Sequence, residues 1–286
     1  IIRKKKEYDG KFEQLLMFFE DILRTLVTGE SPCYTDRVKK YRARSVDQGD
    51  FSVERIMSEK KTKPAALMPR YSYFAVIFAF LFNTLVYTGS RWIAGKWPHH
   101  NIETAADRMI PFFAPSAAVY LGCYLFWAVN YILIARQEKE EVCRFFAGDF
   151  ISRVVCFVFF LAFPTTNVRP ELPPDGFWNQ VMLWVYSVDA ADNLFPSIHC
   201  LVSWFCYIGI RDREEIPVWY RRFSFVMALL VCVSTLTTKQ HVLVDVAGGI
   251  LLAELCFRIG KRPEVSGAYR KILDKVNDRM YRYVRK

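Results

Sequence analysis

Residues 223–259 read FSFVMALLVCVSTLTTKQHVLVDVAGGILLAELCFRI, which is two apolar runs joined by a short polar turn. The runs, 223–239 and 241–259, each come close to the roughly 20 residues that a helix needs to cross a bilayer. Two such runs in succession predict a pair of membrane-spanning helices. The turn between them, near residue 240, would then lie at one surface of the membrane.

Four further apolar segments precede this pair, near 71–90, 112–134, 147–164 and 196–210. The chain is 52% hydrophobic and 24% charged, and the charge concentrates at its two ends and in short loops. Such segregation is typical of a membrane domain with cytoplasmic flanks. We therefore expect an all-α polytopic membrane protein in which a six-transmembrane-helix bundle occupies residues 71–260.

The loops between the apolar segments alternate in charge, and under the positive-inside rule basic segments lie on the cytoplasmic side. Four segments are basic, namely the region before residue 71, the loops 135–146 and 211–222, and the tail after residue 259. Both termini are then cytoplasmic. The outward-facing parts would be the loops 91–111 and 165–195 and the turn near residue 240. Loop 91–111 fits this rule least, because it also holds three basic residues.

Three further helices are predicted outside the bundle. In the N-terminal region, 1–70, apolar residues recur at helical spacing from Phe12 to Leu26, so an amphipathic helix would lie on the membrane or pack against other cytoplasmic segments. The basic amphipathic tail, 261–286, would lie on an anionic inner leaflet or pair with a partner helix. Segment 177–191, short and rich in Trp and Tyr, is typical of an interfacial or re-entrant helix. We expect no signal peptide at the first residues and, since the chain does not open with methionine, a trimmed start.

Composition excludes several classes of site. The net charge of +10 does not indicate nucleic-acid binding, because the basic residues adjoin apolar spans, where they fix topology and contact anionic lipid headgroups. The eight cysteines include no C-x-x-C pair, so neither a disulfide framework nor a zinc site is expected. The nearest approach to a metal cluster is His99-His100 with Glu103 and Asp107, for which a solvated loop is the simpler interpretation. No metal and no cofactor are therefore expected.

Two of the four histidines, His199 and His241, fall at the predicted outer ends of spans. An ionisable residue near the hydrocarbon is costly unless it is used or paired. In a helix, residues four apart share one face, so Asp245 is expected to accept a hydrogen bond from His241. That bond would fix the tautomer and leave the other ring nitrogen free as a nucleophile. A buried structural pair is the alternative interpretation.

A second polar element, D-N-L-F-P-S-I-H at 192–199, precedes the fourth apolar segment. Pro196 suits the first turn of a helix, and free backbone N–H groups there favour a phosphate, to which the Ser197 hydroxyl can add a donor. His199 would lie one turn into that helix and serve as a proton donor. Arg169, in the outward loop after the third span, lies at the same predicted depth. An ordinary helix start with solvated polar side chains is the alternative.

Together, these elements resemble the type-2 phosphatidic acid phosphatase superfamily of membrane phosphatases and phosphotransferases, whose motifs read K-x6-R-P, P-S-G-H and S-R-x5-H-x3-D. This sequence has Arg169-Pro170, then P-S-I-H at 196–199, then Ser234-Thr235 followed after five residues by H-x3-D at 241–245. The order, spacing and predicted outer-face placement match over residues 71–259. Three residues depart from the motifs, standing where the family has Lys, Gly and Arg: Ala162, Ile198 and Thr235.

The resemblance implies roles for the matching residues. His241 would attack the phosphorus, Asp245 would orient His241, and His199 would protonate the leaving alkoxide and then activate the acceptor. The residues implied in binding the phosphate are Arg169, Ser197 and Lys239, the last replacing a missing motif charge. Asp189 and Asp192 lie in the same outward loop, but no spacing argument assigns either of them.

Three functions stay open. The first is hydrolysis of a lipid phosphate, such as phosphatidate, a prenyl pyrophosphate or a sphingoid phosphate, at the outer face of the plasma membrane. The second is headgroup transfer. An apolar residue, Ile198, before the histidine of the second motif and a third motif without arginine resemble the branch of the superfamily that contains the inositol phosphorylceramide and sphingomyelin synthases. The third is a non-catalytic transporter, scramblase or scaffold, which the missing Lys and Arg favour. The expected partners are lipid phosphates and membrane lipids; the sequence allows a homo-oligomer without indicating one.

Overall fold

Helices account for most of the residues that the computed structural model describes, which are residues 67–284. Within this part of the chain the helices are α1 (Arg70–Ala94), α2 (Ala105–Met109), α3 (Ala117–Ala135), α4 (Lys139–Ala162), α5 (Phe177–Val188), α6 (Ile198–Ile208), α7 (Val218–Thr237), α8 (Leu243–Gly260) and α9 (Pro263–Val284), with a 3₁₀ turn at Ala114–Ser116 before α3. Two short parallel strands, β1 (His100–Asn101) and β2 (Thr165–Thr166), join the loops that follow α1 and α4.

Four of the described helical segments are long and apolar enough to cross a membrane: Arg70–Ala94, Ala114–Ala135, Lys139–Ala162 and Val218–Thr237. The fourth predicted span corresponds to α6, which is apolar but has only 11 residues. The sixth corresponds to α8, an 18-residue helix that carries Asp245, Glu254 and Arg258. All six predicted segments are therefore helical, while the count of six membrane crossings stays a prediction.

Helix α6 lies at the centre of the packing and contacts α3, α7 and α8. Its side chains are buried on nearly every side, and Leu201, Phe205 and Cys206 have no exposed surface. A helix that is apolar all round belongs in an interior. Helix α6 is short because Ser197 caps its start and Gly209 caps its end. This central helix carries His199 in its first turn.

Helices α4 and α8 cross with their backbones in close contact. A Cβ atom added at Gly148 would lie 2.7 Å from the Cys256 carbonyl oxygen, and one added at Gly260 would lie 2.4 Å from the Arg144 carbonyl oxygen. Glycine permits this approach because the two backbones touch where a side chain would stand. Small residues at helix crossings are the usual means of packing helices in lipid. The crossing fixes α8 against the rest of the bundle.

The outward side of α1 is apolar and uncovered. Ile77, Leu81 and Leu85 are each more than half exposed. An adjacent side of the helix contacts α4, where Phe78 and Phe82 pack on Phe150. An exposed aliphatic face on a 25-residue helix is the surface expected next to hydrocarbon chains.

A buried ion pair lies within α4. Arg153 donates to Asp149 at 2.9 Å, and the Tyr131 hydroxyl donates to the same carboxylate at 2.6 Å. Both charged side chains are almost fully buried. Charges inside a membrane domain are tolerated when they pair with one another, and four residues along one helix place these two on the same face.

The predicted flanks are only partly described. The predicted N-terminal amphipathic helix lies outside the described residues. The predicted tail helix corresponds to α9, and the predicted interfacial helix corresponds to α5. The amphipathic character of the two flanks stays a prediction.

Candidate active site

His199 and His241 face each other at one end of the bundle. Their ring centroids are 6.0 Å apart, although 42 residues separate them in the chain. His199 is the second residue of α6, and His241 lies in the turn between α7 and α8. Reacting atoms need an approach of about 3–3.5 Å and a proton donor needs about 2.6–3.2 Å. One phosphoryl group placed between the rings is therefore within reach of both.

His241 is held by Asp245 through a helix cap. Helix α8 begins at Leu243, so His241 precedes it, and the expectation that both residues lie in one helix was wrong. Asp245 Oδ2 accepts from the Val242 N–H at 3.0 Å and lies 3.3 Å from His241 Nδ1. Asp245 is the third residue of α8, and its carboxylate folds back to the residues that precede the helix, as the side chain at that position does in a capping box. This places the carboxylate beside His241. A carboxylate accepts this bond, so in the neutral imidazole the proton lies on Nδ1 and Nε2 keeps its lone pair.

Aromatic side chains surround His199. The Tyr120 ring stacks on it with centroids 4.5 Å apart, and the Trp127 ring lies at 5.4 Å. The Tyr124 hydroxyl is 3.4 Å from His199 Nε2. These rings restrict the orientation of the imidazole.

Ser197 fixes the start of α6. It is the N-cap, and its hydroxyl accepts from the Cys200 N–H at 3.3 Å. Its own backbone N–H donates to the Asp245 carbonyl oxygen at 3.1 Å. The side chain is fully buried. Ser197 therefore ties the helix that carries His199 to the helix entry that holds His241; its predicted role in binding phosphate stays a prediction.

Arg169 joins the loop after α4 to the turn beside His241. Its guanidinium donates to the Asp189 carbonyl oxygen and to the Gln240 side-chain oxygen. The guanidinium carbon also lies 4.6 Å from the centre of the Tyr186 ring. The predicted positive charge is thus next to the residue that precedes His241 in the chain, held by α5 on one side and the turn on the other.

Lys239 lies in the same turn, but its ammonium group points to a loop. It donates to the carbonyl oxygens of Asp107, at 2.9 Å, and Ile110, at 2.6 Å. Its backbone adopts φ 52°, which is uncommon for a residue other than glycine. Lys239 and His241 line one narrow cleft together with Asn167. Lys239 thus lies beside His241, and the loop carbonyls engage two of the three N–H donors of its ammonium group.

Sequence reasoning did not assign Asp189, which lies behind His199. Its carboxylate accepts from the Tyr87 hydroxyl and, at 2.7 Å, from the Tyr120 hydroxyl, and Tyr120 is the ring stacked on His199. Burial acts to raise the pKa of Asp189, but the two nearby imidazoles and the two hydroxyl groups lower it below its ordinary value. The sequence feature that could have indicated Asp189 is its position at the end of the aromatic helix α5.

The group considered for a metal has other contacts. His100 stacks on Phe163 with centroids 4.7 Å apart. Asp107 caps α2 through Thr104 and accepts from the Leu243 N–H at 2.7 Å. Within residues 67–284, no group of His, Cys, Asp or Glu side chains has the geometry to hold a metal ion.

Comparison with protein families matches residues 91–259 to the PAP2 superfamily. No curated protein and no solved structure matches the chain. The matched region is more than half of the sequence and contains Arg169, His199, His241 and Asp245. This superfamily comprises phosphatases and phosphotransferases, and together with the apolar helices it indicates an integral membrane enzyme of phosphoryl transfer. The chain belongs to the PAP2 superfamily, that of type-2 phosphatidic acid phosphatases.

Proposed function

We propose that this chain hydrolyses a lipid phosphate monoester or pyrophosphate through a covalent phosphohistidine on His241. The observation that carries the proposal is the pairing of two imidazoles at 6.0 Å, one of which has a carboxylate on its Nδ1. A nucleophile, an orienting group and a proton donor are the parts that a two-step displacement at phosphorus requires.

In the first step, the lone pair of His241 Nε2 forms a bond to phosphorus while the bond from phosphorus to the lipid oxygen breaks. His199, in its protonated form, gives a proton to the departing alkoxide. Asp245 stabilises the positive charge that His241 acquires. In the second step, neutral His199 takes a proton from water, the hydroxyl oxygen attacks phosphorus, and the bond to His241 breaks with release of phosphate.

Catalysis of phosphoryl transfer depends mainly on positioning and on stabilising charge at the equatorial oxygens. Arg169 is hydrogen-bonded to Gln240, the residue that precedes His241. We assign the phosphate-binding role chiefly to Arg169. The further candidates are Ser197, which belongs to the second motif, and Lys239, which would replace a missing motif charge.

We further propose that the site faces outward from the plasma membrane and that both termini are cytoplasmic. His199, His241 and Arg169 are at the ends of α6, α7 and α4 that are remote from the basic loops 135–146 and 211–222. The positive-inside rule puts those loops on the cytoplasmic side. A lipid phosphate in the outer leaflet would then present its headgroup at the depth of the histidines.

The test is to trap the covalent intermediate in the purified full-length chain. With a ³²P-labelled lipid phosphate, we expect acid-labile, alkali-stable label on His241. His241→Ala should lose the label and at least about 10⁴-fold of the turnover, as for other covalent nucleophiles. His100→Asn is the matched control, because His100 stacks on a loop phenylalanine outside the site. Substantial turnover by His241→Ala would rule out the scheme.

The role of His199 has a separate test. His199→Asn should lose activity on alkyl phosphates, whose leaving group needs a proton, yet still form the phosphohistidine from p-nitrophenyl phosphate, whose leaving group does not. The intermediate should accumulate, since water activation is also impaired. Equal losses on both substrates would contradict the assignment of His199 as the proton donor.

Headgroup transfer is the second candidate, and one observation favours it. Arg169 is the only basic side chain that the described structure bonds to the turn next to His241, because Lys239 donates to backbone carbonyls. A single cation matches the single negative charge of a phosphodiester better than the dianion of a monoester. Phosphate release measured with and without an added lipid alcohol, beside diester headgroup donors, separates the two. A phosphohistidine would also exclude a non-catalytic transporter or scaffold.

A further inference from the structure

Two buried hydrogen-bond donors next to His241 have no acceptor among the described residues. They are Gln240 Nε2 and Arg169 Nε. Gln240 is only 1% exposed, so bulk water does not satisfy its amide. Buried polar groups are nearly always paired, and leaving one unpaired costs about 1–3 kcal/mol. Two such donors on neighbouring side chains therefore point to an acceptor that residues 67–284 do not supply.

The orientation of the Gln240 amide follows from its partner. A guanidinium has donors and no acceptor, so the atom of Gln240 that faces Arg169 must be the oxygen. The amide nitrogen then points away from Arg169 with both of its hydrogens unused. Gln240 thus presents a neutral donor beside a positive charge, which is the combination that an anionic oxygen requires.

Gln240 is rigidly connected to the nucleophile. The backbone N–H groups of Gln240 and His241 both donate to the Thr235 carbonyl oxygen, at 2.9 Å and 3.1 Å. Thr235 is the position at which the third family motif has arginine, and it is fully buried. Lys239, the other residue that could replace this arginine, has its ammonium on two loop carbonyls. Gln240 is a polar side chain of the turn between Thr235 and His241 whose amide N–H donors have no acceptor among the described residues.

We propose that Gln240 and Arg169 together bind the phosphate group of the substrate, the Gln240 amide taking the place of the missing motif arginine. This inference rests on the proposed function for its choice of phosphate as the anion. It assigns a residue that no family motif includes. The site would then hold phosphate with one cation and one neutral donor.

The probe is inorganic phosphate, which is the chemical group without the lipid. Its binding is measured as protection of the full-length protein against thermal unfolding, in a His241→Ala background, so that the result does not depend on turnover. We expect Gln240→Met to weaken phosphate binding by about 10-fold to 100-fold, the range for losing a hydrogen bond to a charged group. In the otherwise unmodified enzyme, inhibition by orthovanadate should weaken by a similar factor.

Gln240→Glu distinguishes a binding role from a structural one. It keeps the shape of the side chain and strengthens its contact with Arg169, so the protein should be at least as stable, but it replaces the donor by a negative oxygen. Phosphate protection should then be lost. The matched control is Gln137→Met, since Gln137 is also a buried amide and donates to the Gly209 carbonyl oxygen away from the histidines. This control should lower the unfolding temperature without changing phosphate affinity.

The outcomes separate the two proposals. If Gln240→Glu and Gln240→Met both fold and bind phosphate as the parent does, the assignment of Gln240 is wrong, whatever the enzyme does. If phosphate binding requires Gln240 but no phosphohistidine forms in the unmodified enzyme, the anion site stands and the proposed mechanism fails.

Discussion

One oxygen atom of Asp245 makes two structural contacts. Oδ2 accepts from the Val242 N–H, which caps α8, and lies against Nδ1 of His241. The side chain has no exposed surface. Because the same atom fixes the helix entry and the imidazole, the position of His241 is set by how α8 begins. Removal of the carboxylate should therefore affect stability and catalysis by different routes, which two substitutions can separate.

We predict that Asp245→Asn folds normally and turns over slowly. The amide oxygen can still cap α8, but it carries no charge to stabilise the imidazolium, so kcat should fall on the order of 10²–10⁴-fold with little change in unfolding temperature. Asp245→Ala also loses the cap and should cost a further ~1 kcal/mol of stability. Turnover numbers and thermal unfolding of the two variants are the measurements. If Asp245→Asn retained full activity, the carboxylate would have no part in catalysis.

How much of the site the sequence predicts depends on how local each contact is. The contact between His241 and Asp245 joins residues only four apart in sequence and was predicted, although a helix cap and not a turn of helix forms it. The direction of Lys239 was not predictable, since it depends on a left-handed backbone angle and on a loop more than 120 residues earlier. The contacts of Asp189, which the sequence analysis named without a role, and of Gln240, which it did not name, were not predictable for the same reason, because their partners come from other elements.

At the scale of elements, the crossing of α6 and α8 sets the distance between the histidines. A Cβ atom added at Gly249 would lie 2.7 Å from the Ser197 carbonyl oxygen and 3.2 Å from the Cys200 Cβ. Gly249 thus allows α8 to touch the first turn of α6, which carries His199. This backbone contact sets the spacing between the His199 and His241 rings. A side chain at residue 249 would push the start of α6 away from α8.

We predict that Gly249→Ala lowers activity more than its effect on stability would suggest. The added methyl displaces the Ser197 backbone, and a misplacement of about 1 Å at a reacting group can cost about 10²-fold in rate. Overpacking should cost about 1–3 kcal/mol. Gly122→Ala is the control, because nothing lies within 4 Å of a Cβ atom there. Measured kcat and unfolding temperature should separate the two, and equal kcat values would contradict the spacer role.

Helix positions were predictable from apolar runs, whereas helix lengths were not. The predicted span 196–210 is an 11-residue helix, since Ser197 caps its start and its end is the Gly209 turn. The predicted span 241–259 begins two residues later, at Leu243, because His241 and Val242 belong to the cap. Hydropathy averages over such polar ends, and only the cap contacts show where the helix begins.

At the scale of the whole molecule, the two ends of the bundle differ in chemistry. One end holds the histidines, Arg169 and the aromatic helix α5, in which Phe177 and Trp184 are more than half exposed. The other end holds paired charges, among them Arg211 with Glu254 and Arg213 with Glu141. Exposed aromatic rings are typical of a membrane interface and basic loops of a cytoplasmic surface. The proposed orientation therefore predicts which loops are accessible from each side.

The orientation can be tested by labelling single introduced cysteines on intact cells with a membrane-impermeant maleimide. Asp175→Cys, in the exposed loop before α5, should react from outside, because that loop adjoins the histidine end. Glu214→Cys, in the exposed loop between α6 and α7, should react only after the membrane is permeabilised. The cysteines of the described residues are all buried, so their background labelling should be low in the parent protein, which serves as the control. Labelling of Glu214→Cys on intact cells, with Asp175→Cys protected, would reverse the topology and place the histidines on the cytoplasmic side.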